Sequence, residues 1–249
     1  YYNSSTPHGM IAVGGKDCVF LAMVLSGEDV EDEVVHETMP PLHIPKKEMV
    51  SEKFIITTED KNGSLETIDF KNEDKFNFAF DVVDAIAAKN PDKLAMIHVA
   101  KDKTERRFTF NDMKRGSNQC VNYFKSLGIK RGDRVMLILK RHYQFWYAII
   151  ALHKLGAIAI PATYQLQKHD IEYRFNAAEV STIICTADGD VAHQVDLAAA
   201  ECPSLKNKLM VGGSRDGWRN FDEEFPLYSA HYHRPEDAPC GDDLMLMFF

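Results

Sequence analysis

Residues 134–165, RVMLILKRHYQFWYAIIALHKLGAIAIPATYQ, decide the fold. Residues 135–139 form an apolar run of five, which is typical of a strand buried on both faces of a parallel sheet. In residues 143–155 apolar side chains recur every three or four positions, which predicts a helix that ends at Gly156. A second apolar run follows at residues 157–160. The order strand, helix, strand predicts a right-handed βαβ unit.

The loop after the second strand is the first place to expect a ligand site. It reads Pro161-Ala162-Thr163-Tyr164-Gln165. Small molecules bind parallel sheets just beyond the carboxyl ends of the strands. The sequence therefore predicts a site at residues 161–165.

The alternation of helices and strands extends over residues 76–249. A capping box at residues 109–112 begins a long helix that ends near Gly128. Such alternation over about 170 residues predicts an α/β fold with a parallel sheet and helices on both faces. The other predicted helices are 81–88, 170–178 and 190–200, and the other predicted strands are 94–99, 106–109, 182–185, 208–211 and 244–249.

The first 75 residues divide into three segments of different character. Residues 1–25 predict short β-strands. Residues 26–47 carry six acidic residues followed by three prolines, which predicts a solvated linker. Residues 48–75 contain the turn signal Asn62-Gly63 and predict either a hairpin or an extended arm.

Composition excludes several classes of protein. The net charge is −8 and the basic residues are scattered, which argues against nucleic-acid binding. No apolar stretch reaches the roughly 18 to 20 residues of a membrane helix. The five cysteines are far apart and never form C-x-x-C, which argues against disulfides and zinc and favours a reducing cytoplasm. The first residues lack a signal peptide and an initiator Met, so we expect a longer polypeptide upstream.

Short motifs identify no catalytic centre. The glycine-rich nucleotide loops, the G-x-S-x-G elbow and H-E-x-x-H are absent from the sequence. Gly212-Gly213-Ser214 is better explained as a turn, and His231 and His233 lack a third metal ligand. Trp146 belongs to an aromatic group at residues 143–147, which is more typical of a core than of an apolar ligand pocket.

The order of residues carries more information than these motifs. Residues 132–185 resemble the adenylate-forming acid–coenzyme A ligases, and most closely the medium-chain acyl-CoA synthetases. FTFNDM at residues 108–113 and LHKLGAIAIPAT at 152–163 correspond to two signatures of that family, and GWRNFDEEF at 217–225 falls at the expected distance. The resemblance covers residues 76–249. It implies the N-terminal part of the large domain of an adenylate-forming enzyme.

The resemblance also implies a reaction and its cofactors. Members of the family convert a carboxylic acid and ATP, with Mg²⁺, to an acyl-adenylate and then transfer the acyl group to coenzyme A. Gln165 stands where the medium-chain enzymes contact coenzyme A, although a loop amide that caps local backbone explains it equally well. Tyr164 and Trp146 are candidates for the acyl side. The phosphate-binding loop and the catalytic residues would lie beyond residue 249, so we expect residues 1–249 alone to be inactive.

A second resemblance concerns the N-terminal strands. YYNSSTPHGMIAVGG and CVFLAMVL, within residues 1–25, resemble the closing strands of a cupin barrel. His8 takes the place of a cupin metal ligand, but the other ligands belong to an earlier motif that is not present, which favours a plain turn histidine. The alternative function is a regulatory protein whose cupin and ligase-like parts bind an acyl compound without catalysis. An unrelated doubly wound nucleotide-binding domain is disfavoured because the glycine fingerprint is missing.

Overall fold

The structure, a computed structural model, describes residues 50–249. The predicted cupin-like strands, the acidic linker and His8 lie outside the described residues. The chain divides into two compact units at Asp69. None of the helices in the described part has the length and apolar character that a membrane span requires.

The described part of the first unit is a short helix followed by a two-stranded sheet. A 3-10 helix covers Val50–Lys53, and strands β1 (Ile55–Glu59) and β2 (Leu65–Phe70) pair with each other. Asp60 holds the turn, since its Oδ1 accepts the backbone N–H groups of Asn62 (2.8 Å) and Ser64 (2.9 Å). The two strands and this turn form a hairpin over residues 55–70.

The second unit contains a five-stranded sheet in which all the paired strands are parallel. A separate antiparallel pair consists of β3 (Leu94–Val99) and β4 (Glu105–Thr109), which the sequence predicts as strands. The parallel sheet has the strand order β6-β5-β7-β8-β9. Its members are β5 (Arg134–Ile138), β6 (Ile158–Pro161), β7 (Thr182–Thr186), β8 (Asn207–Val211) and β9 (Arg219–Asn220).

Helices lie on both faces of this sheet. A π-helix at Ala79–Asp84 continues into α1 (Ala85–Lys89), and a 3-10 turn at Phe225–Leu227 follows α6. Thr109 and Asp112 form the predicted capping box of α2 through reciprocal backbone and side-chain hydrogen bonds. The remaining helices are α2 (Phe110–Ser126), α3 (Gln144–Leu155), α4 (Lys168–Ala177), α5 (Val191–Ala199) and α6 (Phe221–Glu224).

The predicted βαβ unit is confirmed. β5 and β6 are neighbours and run in the same direction, with Arg134 opposite Ile158. The α3 helix ends at Gly156, which takes the left-handed conformation expected of a helix-ending glycine (φ 77°).

Both faces of β5 are buried because consecutive side chains point to opposite sides of a sheet. Val135 and Leu137, together with Leu139 just after the strand, pack with α2 and α3. Met136 and Ile138 pack with α4 and α5. An uninterrupted apolar run is therefore what this strand requires.

The apolar stripe predicted for α3, Phe145, Ile149, Leu152 and Leu155, faces the core at all four positions. Leu152 is buried, whereas Phe145, Ile149 and Leu155 are partly buried. The fully packed face also includes Tyr147, because α2 approaches α3 closely at Gly116. A Cβ atom on Gly116 would lie 2.6 Å from Cζ of Tyr147.

The strand predicted at residues 244–249 is wrong in extent. The structure has a single parallel bridge between Leu246 and Ala159 on the outer edge of β6. Ala159 N–H donates to the carbonyl of Met245, and Met247 N–H donates to the carbonyl of Ala159, both at 3.0 Å. Leu244 and Phe248 on either side are exposed, so apolar composition here does not reflect a paired and buried strand.

A buried lysine joins the helices on one face of the sheet. Lys154 of α3 is fully buried, and its Nζ donates to Asp84 Oδ1 (2.8 Å), Ser117 Oγ (3.0 Å) and Asn118 Oδ1 (2.7 Å). Burial raises the pKa of Asp84 and lowers the pKa of Lys154, against the effect of their attraction. The ion pair is therefore held by its hydrogen bonds in a place that disfavours both charges.

Replacing Lys154 should lower the free energy of unfolding substantially unless the charge of Asp84 is removed as well. Lys154→Met leaves a nearly buried carboxylate without its cation, and we expect a loss of about 3 kcal/mol or more in the free energy of unfolding. Adding Asp84→Asn removes that charge and should recover part of the loss in urea denaturation. Because burial raises the pKa of Asp84, lowering the pH should also reduce the loss in the single variant. A double variant less stable than Lys154→Met would contradict this explanation.

Candidate functional site

The carboxyl ends of four parallel strands meet at one edge of the sheet. Leu137 of β5 pairs with Pro161 of β6, and Thr186 of β7 pairs with Val211 of β8. The segments that leave the sheet at this edge are 139–142, 162–165, 187–190 and 212–214. The predicted loop at residues 161–165 is one of them, and we call this region the carboxyl edge.

Two predicted site residues share the loop after β6. Tyr164 and Gln165 are both exposed. The backbone N–H of Gln165 donates to Thr163 Oγ1 (3.3 Å), and its carbonyl accepts from Gln167 Nε2 (3.5 Å). Within residues 50–249 the side-chain amide of Gln165 forms no hydrogen bond. It can therefore both donate to and accept from a ligand.

Trp146 forms no ring contact with Tyr164. It is on α3, its side chain is 50% exposed, and its ring contacts Phe145 edge-on at 5.4 Å between centroids. Tyr164 instead carries the ammonium group of Lys140 over its ring, 4.3 Å from the centroid. Tyr164 and Gln165 thus share one loop, whereas Trp146 is in the first turn of α3.

His142 is a residue at the carboxyl edge that the sequence analysis missed. Its Nε2 lies 2.8 Å from Thr186 Oγ1 and 3.9 Å from Asp188 Oδ2. The hydroxyl of Thr186 also accepts the backbone N–H of Asp188 (3.0 Å), so it can donate to an unprotonated Nε2. Burial lowers the pKa of His142, and the carboxylates of Asp188 and Asp222 oppose that change. His142 therefore joins the ends of β5 and β7 as a largely neutral ring.

A second set of contacts joins the end of β8 to the start of α3. Asp222 accepts the backbone N–H of Gly212 (2.8 Å) and the side-chain amide of Gln144 (2.6 Å). Gln144 Oε1 is buried and has no hydrogen-bond partner among the described residues. Gly212 has φ 79°, and a Cβ there would lie 2.8 Å from Cε1 of His142. Gly212-Gly213-Ser214 is thus a turn shaped to admit the His142 ring.

A cavity of about 390 Å³ lies at the opposite edge, among residues that precede β5 and β6. Arg131 and Lys154 line it, and both are already bound to carboxylates, those of Asp243 and Asp84. Lys125 and Lys154 belong to the last turns of α2 and α3, where a cation offsets the partial negative charge of a helix end. Arg131 and Lys154 therefore have structural partners.

The described residues do not form a metal centre. No group of three or more His, Cys, Asp or Glu side chains within residues 50–249 is arranged to hold an ion. His231 and His233 are both exposed and do not change this result.

Comparisons with known proteins agree on one family. The model of the family described as AMP-binding enzyme matches residues 83–249. Acyl-coenzyme A synthetase ACSM5, mitochondrial, from Rattus norvegicus is 36% identical over 180 residues, which cover 70% of this chain and 31% of that protein. Human ACSM2A, also named a mitochondrial acyl-coenzyme A synthetase, is 35% identical over 166 residues, covering 64% of this chain and 28% of that protein. The chain thus spans about a third of the length of these relatives.

Solved structures share the fold. An acyl-CoA synthetase from Brucella canis superposes with a TM-score of 0.61 at 21% identity, covering 72% of this chain and 32% of that one. The anthranilate CoA ligase AuaEII, solved with anthranoyl-AMP, gives a TM-score of 0.55 at 21% identity, covering 64% of this chain and 30% of that one. At 21% identity these structures show that the fold is shared, and nothing further about function is inferred from them.

The contact between Gly212 and His142 predicts a difference between two glycine substitutions. Gly212→Ala and Gly189→Ala both place a side chain at a positive φ, but a Cβ at Gly189 meets no atom within 4 Å. Gly212→Ala should therefore lower the free energy of unfolding by about 1 kcal/mol more than Gly189→Ala in urea denaturation. His142→Ala in the same chain should remove that excess. Equal losses in the free energy of unfolding for the two single variants would show that a side chain at position 212 does not clash with His142.

Proposed function

The chain belongs to the AMP-binding enzyme family, and on that basis we propose that it forms part of an acid–coenzyme A ligase. The substrate class is a carboxylic acid, with fatty acids as the first candidates. The chain covers about a third of its relatives, so the reaction is proposed for the whole protein to which this segment contributes.

The proposed reaction has two steps. A carboxylate oxygen attacks the α-phosphorus of ATP, pyrophosphate leaves, and an acyl-adenylate forms. The thiol of coenzyme A then loses its proton and attacks the acyl carbon, a C–S bond replaces the C–O bond, and AMP leaves. When bound, Mg²⁺ would neutralise charge on the triphosphate.

The observation that supports a coenzyme A contact is that the side-chain amide of Gln165 is exposed and forms no hydrogen bond within residues 50–249. Gln165 lies in the loop that follows β6. The amides of the pantetheine arm of coenzyme A offer both donors and acceptors, which one side-chain amide can match. We therefore assign Gln165 to the coenzyme A side of the site.

Tyr164 and Trp146 are proposed for the acyl side. Both rings are about half exposed, at 47% and 50%, so an acyl chain that covers either ring would bury apolar surface. Tyr164 adjoins Gln165, whereas Trp146 lies on α3. Tyr164 is therefore the ring nearer to the proposed coenzyme A contact.

The cellular location is proposed from the thiols. Cys120, Cys185 and Cys202 are free and buried, which suits a reducing compartment such as the cytoplasm. The names of the relatives place those proteins in mitochondria. Fractionation of cells that produce the protein would decide between the two compartments.

The two half-reactions should be separable in the whole protein. With ATP and a series of straight-chain fatty acids, we expect exchange of labelled pyrophosphate into ATP that depends on the acid. With coenzyme A added, Gln165→Ala should raise the KM for coenzyme A about tenfold through loss of a polar contact, and leave the KM for ATP unchanged. Gln194→Ala is the control, because the side-chain amide of Gln194 already has partners: it accepts from the backbone N–H of Lys168 and donates to Asp190.

Two results would contradict this proposal. An unchanged KM for coenzyme A in Gln165→Ala would remove the residue from the site. Binding of fatty acid without ATP-dependent release of pyrophosphate would instead favour the regulatory protein that senses an acyl compound.

A further inference from the structure

The turn that ends β5 holds Lys140 in an uncommon backbone conformation. Lys140 has φ 46°, in the left-handed region that a residue with a side chain seldom adopts. Among the described residues, Asn72, Lys103 and Glu179 also have positive φ, but Lys140 is the one at the carboxyl edge. Such conformations persist where the surrounding structure enforces them, and they concentrate at functional sites.

Two hydrogen bonds enforce this turn. The backbone N–H of His142 donates to the carbonyl of Leu139 (2.9 Å), which closes the turn around Lys140. His98 Nε2 lies 2.9 Å from the carbonyl of Arg141 and fixes the next residue. The position of Lys140 is therefore set by contacts from β3 as well as by its own strand.

The side chain of Lys140 lies beside the loop that carries Gln165. Leu137 pairs with Pro161, so Lys140 and Tyr164 each lie three residues beyond that pair on neighbouring strands. The ammonium group is 4.3 Å from the centroid of the Tyr164 ring. A cation over an aromatic face is oriented by the ring without being neutralised.

Lys140 also has no carboxylate partner in the described part of the chain. No carboxylate within residues 50–249 lies within 4.0 Å of its Nζ, and the same holds for the exposed Arg141. By contrast, Arg131 and Lys208 are bound to the carboxylates of Asp243 and Asp196. In a chain with a net charge of −8, an oriented cation without a carboxylate partner fits an anionic ligand.

We propose that Lys140, positioned by the ring of Tyr164, binds a phosphate group of coenzyme A at the carboxyl edge. This assignment rests on the proposed function and adds a phosphate contact to the amide contact of Gln165. It moves Tyr164 from the acyl side to the phosphate side, because the pantetheine arm separates the phosphates of coenzyme A from the acyl carbon. A lysine ammonium suits this role because it is a compact charge with three donors. Coenzyme A carries phosphates at one end and amides along its pantetheine arm, so the two residues recognise different parts of one ligand.

The test compares coenzyme A with pantetheine, which lacks the phosphates. Titration calorimetry on the full chain at low salt gives the affinity for each, and thermal melting confirms that every variant is folded. Lys140→Gln should weaken the binding of coenzyme A about tenfold, since a hydrogen bond to a charged group is lost. Lys140→Arg should retain most of the affinity, and pantetheine should bind all forms equally. Lys130→Gln, which removes an exposed lysine at the opposite edge, should change nothing.

Several outcomes would overturn the assignment. The first is that the wild-type chain does not bind coenzyme A. The second is that Lys140→Gln leaves the affinity for coenzyme A unchanged. The third is that Lys140→Gln lowers the affinity for pantetheine by the same factor, which would mean that Lys140 only maintains the conformation of the loop. A loss for ATP with none for coenzyme A would assign the phosphate to the nucleotide instead. The proposed function fails on a separate measurement, the acid-dependent exchange of pyrophosphate, which uses no coenzyme A.

Discussion

The parallel pairing of β5 with both β6 and β7 is the constraint on which the rest of the structure depends. It requires a strand that is apolar on both faces, because helices α2 and α3 cover one side and α4 and α5 the other. It also brings the carboxyl ends of three strands to one edge. The turn at Lys140, the loop with Gln165 and the hydroxyl of Thr186 are neighbours for that reason.

Arg131 and Lys154 at one edge of the sheet have carboxylate partners, whereas Lys140 at the other edge contacts an aromatic ring. At the edge where the strands begin, Arg131 binds Asp243 at 2.6 Å, and the buried Lys154 binds Asp84 at 2.8 Å. Those cations stabilise the contacts of helices and loops. At the carboxyl edge, Lys140 rests on an aromatic ring and has no carboxylate partner within the described part of the chain. Arg131 and Lys154 therefore stabilise the fold, whereas Lys140 is available to a ligand.

Local patterns in the sequence predicted much of the fold. The apolar run of β5, the capping box of α2 and the glycine that ends α3 act over a few residues, so their chemistry is readable in order along the chain. β9 escaped prediction because it has two residues, Arg219 and Asn220, and is held by its register with β8 rather than by an apolar pattern. Residues 244–249 have the composition of a strand but form one bridge, since composition does not specify a partner.

The sequence predicted where the loop of the candidate site lies in the fold, but not the contacts around it. The βαβ unit located the loop with Tyr164 and Gln165. The contacts of His142 with Thr186 and of Gln144 with Asp222 join residues 44 and 78 positions apart, and no local pattern reveals such pairs. The left-handed turn at Lys140 could not be predicted, because no glycine marks it in the sequence. A hydrogen bond across the turn and one from His98 hold this conformation instead.

The central claim is that the carboxyl edge, built by the pairing of β5 with β6, receives coenzyme A. Photo-crosslinking with a coenzyme A analogue that carries a photoreactive group, followed by peptide mass spectrometry, tests it most directly. The account predicts labelled peptides that contain residues 139–142 and 161–165, with labelling abolished by excess coenzyme A. Labelling confined to residues 125–131 and 232–239, around the cavity at the opposite edge, would contradict it.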